Sequence, residues 1–381
     1  MTNYTKLELE TINGANIRIN REYLKTYEEE LLGLLDGLEY MRTLKFARSM
    51  MISQEIKSNN VIEGIKDDLS IIDKVITQRK DDLSQTERQR IINLYHGYQY
   101  ILTHKNINKD SLKELYQLLS ENILDPRDKI RMGEYYRTAP VYIIKGNRLD
   151  VEPFMGIDEN KIEYYMNQLF NFINNEVLEE TEIDKFIKSQ IMHFYFVYIH
   201  PYFDVNGRTS RTVAMWYLLN NKNYPYIVFN RAIAFNQKDY EPNIIKGRAY
   251  GDITLFIKYM LESVEKELEK EYLIHTIDNN SDEYLSKYEL QMLEYLLTMN
   301  GNLTIKDLIT IYNRYNSKDK ITKILEEKIK PLLDKKILIP QRYTKKNITP
   351  TIKNMEIKLN PELIELDTSK IKHLNIDKYI K

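Results

Sequence analysis

Residues 199–211 read IHPYFDVNGRTSR, and this stretch organises everything around it. A strongly apolar run before it reads as a core helix that stops at His200, because Pro201 disfavours helical geometry in the residue preceding it. The chain then turns tightly through Asp204, Val205, Asn206 and Gly207, and a second helix starts near Arg208 with Arg211 one turn further on the same side. First-turn amides of that helix, together with the Asn206-Gly207 backbone, form an anion-binding nest. Two arginines three residues apart add charge-assisted contacts suited to phosphate. Asp204 beside the nest suits a divalent cation that bridges phosphates and needs few protein carboxylates. His200, at the mouth of the loop, has an ordinary pKa near neutrality and suits taking a proton from a hydroxyl.

Taken whole, the segment resembles the signature of the Fic family, H-P-F-x-[D/E]-G-N-G-R-x-x-R. His200, Pro201, Asp204, Asn206, Gly207, Arg208 and Arg211 match it, and Tyr202 replaces Phe. The resemblance implies transfer of AMP from ATP to a hydroxyl of a protein target, a list of acceptors that includes the chain itself. It makes His200 the base, Asp204 the Mg2+ ligand on the α- and β-phosphates, and the Asn206-Gly207 loop the phosphate cradle. Arg208 and Arg211 then hold the β/γ end of ATP. Val205 departs from the pattern, standing where the family has glycine. A β-branched residue is costly there if the backbone needs positive φ. Two readings follow from that departure: a Fic enzyme transferring another phosphate-containing group, and a nucleotide-binding pseudoenzyme.

Three flanking segments extend the resemblance to roughly residues 38–273. SNNVIEGI, residues 58–65, resembles the family's inhibitory motif [S/T]-x-x-x-E-[G/N], with Glu63 and Gly64 at its matching end and Asn59 at the Ser/Thr position. By that resemblance Glu63 pairs with Arg211 and obstructs the γ-phosphate position, since carboxylate and phosphate compete for one guanidinium. The plainer alternative is a glycine that ends a helix. GEYYRTAPVYIIKG, residues 133–146, resembles the flap that captures the target by strand addition, which places Tyr142 and Ile143 near the acceptor. The region from Tyr240, with its Gly-Asp-Ile-x-x-Phe run at residues 251–256, resembles the part that closes the nucleotide pocket and makes Tyr240 a contact of the base. His193, two helical turns before His200, reads as a core histidine.

Outside this segment, apolar residues recur at intervals of three and four, and Gly and Pro number only 12 and 10. The expected fold is mainly α: a Fic-type helical core, a small β-hairpin flap within residues 131–148, and a C-terminal winged-helix domain. Helices are expected over residues 21–32, 38–58, 69–80, 85–105, 109–124, 160–175, 184–199, 208–220, 240–250 and 253–274. Residues 1–110 form an N-terminal helical region carrying the inhibitory helix, 111–274 the catalytic core and 275–283 a polar linker. Beyond it, helices over 286–299, 304–312 and 318–335 and two short strands make up residues 284–381.

Composition removes several function classes. Of 381 residues 43% are hydrophobic and 29% charged, with net charge -1, which describes a globular chain with no global field for nucleic acid or membrane. Residues from Asp282 onward hold 19 basic against 14 acidic side chains, a mildly basic end on an acidic body. Cysteine is absent, so disulfides, thiolate zinc and a cysteine nucleophile are excluded. The N-terminus MTNYTKLELE lacks the form of a secretory signal, and a cytoplasmic location is expected, with room for a homodimer. The alternative from another class is a DNA-binding regulator that uses Arg342, Lys345 and Lys346 of the wing. Glu326 and Glu327 in its recognition helix make DNA binding the less favoured reading.

Overall fold

The apolar run that ends at Ile199 is buried almost all round, as a helix without a polar face must be. The computed structural model describes residues 4–38, 45–65, 67, 69–78, 83–141, 156–175, 181–220, 229–279, 292, 303–315, 319–340 and 356–359. These fall into two compact units, residues 1–33, 55–67 and 71–264 in the first and 34–54, 68–70 and 265–381 in the second.

In chain order the first unit draws on strands β1 (Thr5–Glu10) and β2 (Asn16–Ile19), then helices α1 (Arg21–Leu38), α2 (Lys45–Ile62), α3 (Leu69–Ile76), α4 (Gln85–Thr103) and α5 (Lys109–Ser120). Further along the chain come α6 (Ile162–Asn174), α7 (Glu182–Ile199), α8 (Asn206–Asn220), α9 (Phe229–Phe235), α10 (Gln237–Tyr250) and the start of α11 (Thr254–Asn279). α7 and α8 pack along each other, with α6 against α7 and α4 and α5 against α8. Three of the helix starts carry the polar residue that orphan amides need, those of α4, α5 and α7. Thr181 accepts from the amide of Asp184 at the head of α7, and Ser84 and Glu87 form a capping box on α4.

The hairpin β1–β2 is an element the helical reading of residues 1–110 leaves out. Its strands alternate, with Leu7, Leu9, Ile17 and Ile19 buried and the residues between them facing outward. They pair antiparallel with Thr5 opposite Ile19, and the register slips between Lys6 and Glu10. Tyr195 of α7 donates its hydroxyl to the Glu10 carbonyl at 2.9 Å, and the amide of Arg18 donates to Gly251 at 2.9 Å. The hairpin thus ties the far end of α7 to the α10–α11 corner, where Gly251 takes φ +65.

Differences from the sequence reading have local causes. α9 was not expected, because its seven residues are too short to show a helical period. α11 continues to Asn279, so residues 275–279 of the expected linker are helical. Over residues 131–141 the expected hairpin shows turns and bends and no strand; Tyr142 and Ile143 lie outside the described residues, as do Arg342, Lys345 and Lys346.

The second unit has a three-stranded antiparallel sheet in the order β3 (Leu303–Thr304), β5 (Glu356–Leu359), β4 (Leu338–Pro340). Between β3 and β4 lie α12 (Ile305–Tyr315), α13 (Ile321–Ile324) and α14 (Lys330–Asp334), the last two joined by a π turn over Leu325–Ile329. Pro331 accounts for that turn: it offers no amide to the regular ladder and its ring crowds the preceding carbonyl. No helix among the described residues is long and apolar enough to cross a membrane.

Candidate active site

α7 ends where Pro201 requires, and His200 leaves the helix in the left-handed region, φ 55 and ψ 61. This backbone costs a non-glycine residue about 1–2 kcal/mol, so its neighbours must hold it. Arg137 and residues 156–157 do so. The amide of Arg137 donates to the Pro201 carbonyl at 2.9 Å and that of Ile157 to Ile199 at 3.1 Å. Gly156 has no room for a side chain, since a Cβ there would lie 2.9 Å from the Cβ of His200. Burial, and then the like charges of Arg137 and Arg248, press the His200 pKa down to about 4, with only the Val197 carbonyl favouring the charged form. The imidazole is therefore neutral at physiological pH, the state a base needs. Any transfer that uses it should be flat with respect to this group between about pH 6 and 8 and fall only in more acid solution. A kcat/KM profile with an inflection near the ordinary histidine pKa would contradict this placement.

Beyond Tyr202 the loop turns into α8. Tyr202 is fully buried and stacks on Tyr116 with ring centroids 3.6 Å apart, so its ring is a core residue beneath the loop. Asn206 spends its side chain on the loop itself: Oδ1 accepts from the Tyr202 amide at 2.9 Å and Nδ2 donates to the Tyr202 carbonyl at 2.8 Å. What Asn206 and Gly207 offer an anion is their amides, which lie in the first turn of α8 and have no carbonyl one turn back. Val205 caps that turn, its carbonyl accepting from the Thr209 amide at 2.9 Å.

Val205 takes φ 66, the backbone glycine would adopt, so the loop keeps its shape despite the substitution. Two terms compete when Val205 is replaced. Its side chain is buried, and removing it costs about 1.5–3 kcal/mol; relief of the left-handed strain returns about 1–3 kcal/mol. Val205→Gly should therefore change stability little. Val205→Ala loses the same contacts and keeps most of the strain, so it should be the less stable by about 1 kcal/mol. This reverses the usual order of alanine over glycine. Urea unfolding of the two variants decides it, and a more stable alanine variant would remove the strain argument.

Arg208 and Arg211 are both buried, and the Nε of each has no hydrogen-bond partner. Burial holds the Arg208 pKa below its ordinary value, whereas in Arg211 the Glu63 carboxylate overcomes burial and raises it. Buried donors without partners mark a place that an anion completes. The carboxylate of Glu63 now sits there. Arg211 Nη2 donates to Glu63 Oε1 at 2.6 Å and to Asn59 Oδ1 at 2.7 Å, and a Cβ on Gly207 would lie 3.0 Å from that same Glu63 oxygen. Burial alone would raise the Glu63 pKa, but the charges of Arg211 and Arg208 hold it below the usual carboxylate range.

Residues 58–65 end a helix and also bring a carboxylate to Arg211. Gly64, at φ 78, closes α2, with its amide on Val61 at 2.9 Å and the Ile65 amide on Asn60 at 2.8 Å. That pair of bonds is a Schellman stop, and it leaves Glu63 at the cap with its side chain toward Arg211. Asn59 supplies the acceptor expected of Ser or Thr, while its Nδ2 donates to the Tyr98 hydroxyl at 3.2 Å.

Tyr240, expected at the base, is held among protein groups. It is buried, bonds to Arg211, and its hydroxyl lies 2.7 Å from Nε2 of His193. Burial lowers the His193 pKa, so the ring is neutral and its tautomer sets which partner donates in the bond to Tyr240. His193 is thus a core histidine that orients a partner of Arg211.

Among the described residues no cluster of three or more His, Cys, Asp or Glu side chains stands ready for a metal. Asp204 is exposed at the lip of the loop, with Oδ1 fixed by the Val205 amide at 2.6 Å. A single oriented carboxylate suits a Mg2+ ion that arrives on phosphates and keeps its waters, rather than one held in a protein cage.

Residues 106–218 match the model of the Fic/DOC family. That segment is similar to a Fic domain. Proteins named protein adenylyltransferase Fic are similar to it: that of Culex quinquefasciatus is 27% identical over 232 residues, covering 59% of this chain and 43% of that protein. That of Drosophila willistoni is 25% identical over 277 residues, covering 69% and 52%. The chain spans about a third to a half of the length of the curated relatives it matches. In fold it resembles a Fic family protein from Desulfovibrio desulfuricans G20, with TM-score 0.55 at 19% identity over 89% of this chain and 95% of the other. It also resembles Fic-1 from C. elegans, with TM-score 0.54 at 18% identity over 68% and 76%.

Glu63, Asn59 and Tyr240 lie outside the matched Fic segment and reach it only through the fold. So does Arg90 of α4, which the sequence reading passed over. It stands two helical turns from Tyr98 on the same face, and its charge bears on both Glu63 and Arg208. Its signal in the sequence is slight, one arginine in the charged first turns of a helix. Arg137 was likewise passed over, although it stands inside the flap segment.

Proposed function

We propose that this protein transfers AMP from ATP to a hydroxyl of a protein target and that Glu63 restrains it. The observation that carries the reading is the pair of buried arginines at the head of α8, with unpartnered Nε atoms and a carboxylate in the anion's place. His200, neutral at the loop mouth, takes the proton of the acceptor hydroxyl. The first-turn amides of α8 and the guanidinium of Arg208 cradle the phosphates, and Arg211 holds the terminal one once Glu63 has left. Asp204 would hold Mg2+, which neutralises phosphate charge when bound. The chain's own contribution is to position and to stabilise charge around an in-line displacement.

The left-handed backbone of Val205 supports the usual transfer register, because the loop keeps the conformation a glycine would give it. For the second unit we propose a winged-helix module that binds a partner rather than DNA. Two of its described lysines pair with acidic neighbours, Lys323 with Asp319 at 3.2 Å and Lys330 with Glu326 at 3.0 Å. ATP labelled at the α- or the γ-phosphate tests the reaction. Label should pass to protein from the α position only; retention from the γ position would mean that another group is transferred.

A further inference from the structure

Arg137 has no part in the chemistry assigned to the site, yet it is bound to the loop that carries the base. Its guanidinium is buried and makes three hydrogen bonds to main-chain carbonyls. Nε donates to His200 at 2.8 Å, Nη1 to Ala139 at 2.8 Å and Nη2 to Ile157. Glu159 at 4.0 Å is its counter-charge. Gly156 leaves the room this needs, for a Cβ there would lie 2.6 Å from Arg137 Nη2. One planar fork therefore ties residues 137–139 and 156–157 to the carbonyl at the turn. A guanidinium can span three carbonyls in this way, whereas an ammonium offers a single point of attachment.

We propose that Arg137 is the positioning residue for His200: its fork holds the His200 carbonyl and with it the left-handed turn from which the imidazole projects. The proposal rests on His200 acting as the base. The energetic case is that the turn is strained and the carbonyls that face it are buried, so losing the fork both frees the turn and leaves acceptors without donors. Arg137 and Arg248 are also the cations that face the imidazole. The same side chain thus fixes the ring in space and helps to keep it unprotonated.

Two variants of the full chain separate these effects. Arg137→Lys keeps the cation and cannot span the carbonyls. Arg137→Gln removes the cation as well. Transfer from Mg-ATP gives kcat and KM, and the ring of His200 is followed by NMR in histidine-labelled protein. The chain has six histidines, and His200→Ala assigns the signal. Arg137→Lys should lower kcat by about 100-fold, the scale of a misplaced catalytic group, with KM for ATP within about twofold. Its His200 signal should still not titrate above about pH 6. Arg137→Gln should lower kcat as far and bring the His200 titration up by about one pH unit. Full kcat in Arg137→Lys, or an unmoved titration in Arg137→Gln, would overturn the proposal. Arg137→Lys, which keeps a charge opposite Glu159, is the variant to judge if Arg137→Gln does not fold. The NMR readout needs no catalysis, so a Glu63→Gly chain without transfer would sink the functional reading while the titration still judged the role of Arg137.

Discussion

Replacing Glu63 with glycine should raise ATP-dependent transfer by at least tenfold and lower the stability of the nucleotide-free protein. Both effects come from one contact. The Glu63 carboxylate is 2.6 Å from Arg211 Nη2 and stands over Gly207, in the place where the buried donors of Arg208 and Arg211 converge. A terminal phosphate that needs Arg211 must displace it, and competition of this kind between two sites is worth about 1–3 kcal/mol. The cost of removing Glu63 from the empty protein is of similar size. A fully buried pair broken on one side costs about 3–5 kcal/mol; Glu63 keeps 29% of its side-chain surface and Arg211 keeps Asn59 and Tyr240, so about 1–3 kcal/mol is expected here. Mg-ATP should therefore raise the melting temperature of Glu63→Gly by more than that of the wild type. Equal thermal shifts would mean that Glu63 and nucleotide do not compete for Arg211.

The second large effect is expected at His200. His200→Ala should reduce transfer by about 10²–10⁴-fold, the range for removal of a positioned general base, and leave nucleotide affinity within about twofold. The separation follows from the site's layout. His200 ends α7, whereas the arginines and first-turn amides that receive phosphate belong to α8, beyond the Asn206–Tyr202 brace. Stability should change little, because the ring is only partly buried and is already neutral at physiological pH. Single-turnover rates with equilibrium binding of ATP make the comparison. A matching loss in affinity and rate would place His200 in nucleotide binding instead.

Much of this was legible because the motif is contiguous. His200 through Arg211 are one helix end, one turn and one helix start, and such local features are written in Pro201, Gly207 and the spacing of the arginines. The partnership of Glu63 with Arg211 was legible only by resemblance, since nothing in residues 58–65 points across 148 positions of chain. Val205 illustrates the opposite limit. The cost of valine in a glycine position was foreseeable, but whether the backbone would keep positive φ depended on how residues 202–209 brace one another. The bond of Tyr240 to His193 leaves no trace in the sequence, because it arises from packing between α7 and α10. The hairpin over residues 5–19 was missed although LELE and NIRI alternate strictly, because strands this short carry little signal beside long helices. Arg137 was hidden for another reason: its partners are three main-chain carbonyls, and a backbone acceptor leaves no trace in the identity of the residue that supplies it.

Intact mass spectrometry of wild-type, Glu63→Gly and His200→Ala proteins after incubation with magnesium and ATP tests the central claim most directly. The account predicts an AMP-sized increment on Glu63→Gly protein or on an added target, a smaller yield from wild type, and none once His200→Ala is combined with Glu63→Gly. A phosphate-sized increment, or an AMP increment that survives the loss of His200, would contradict it.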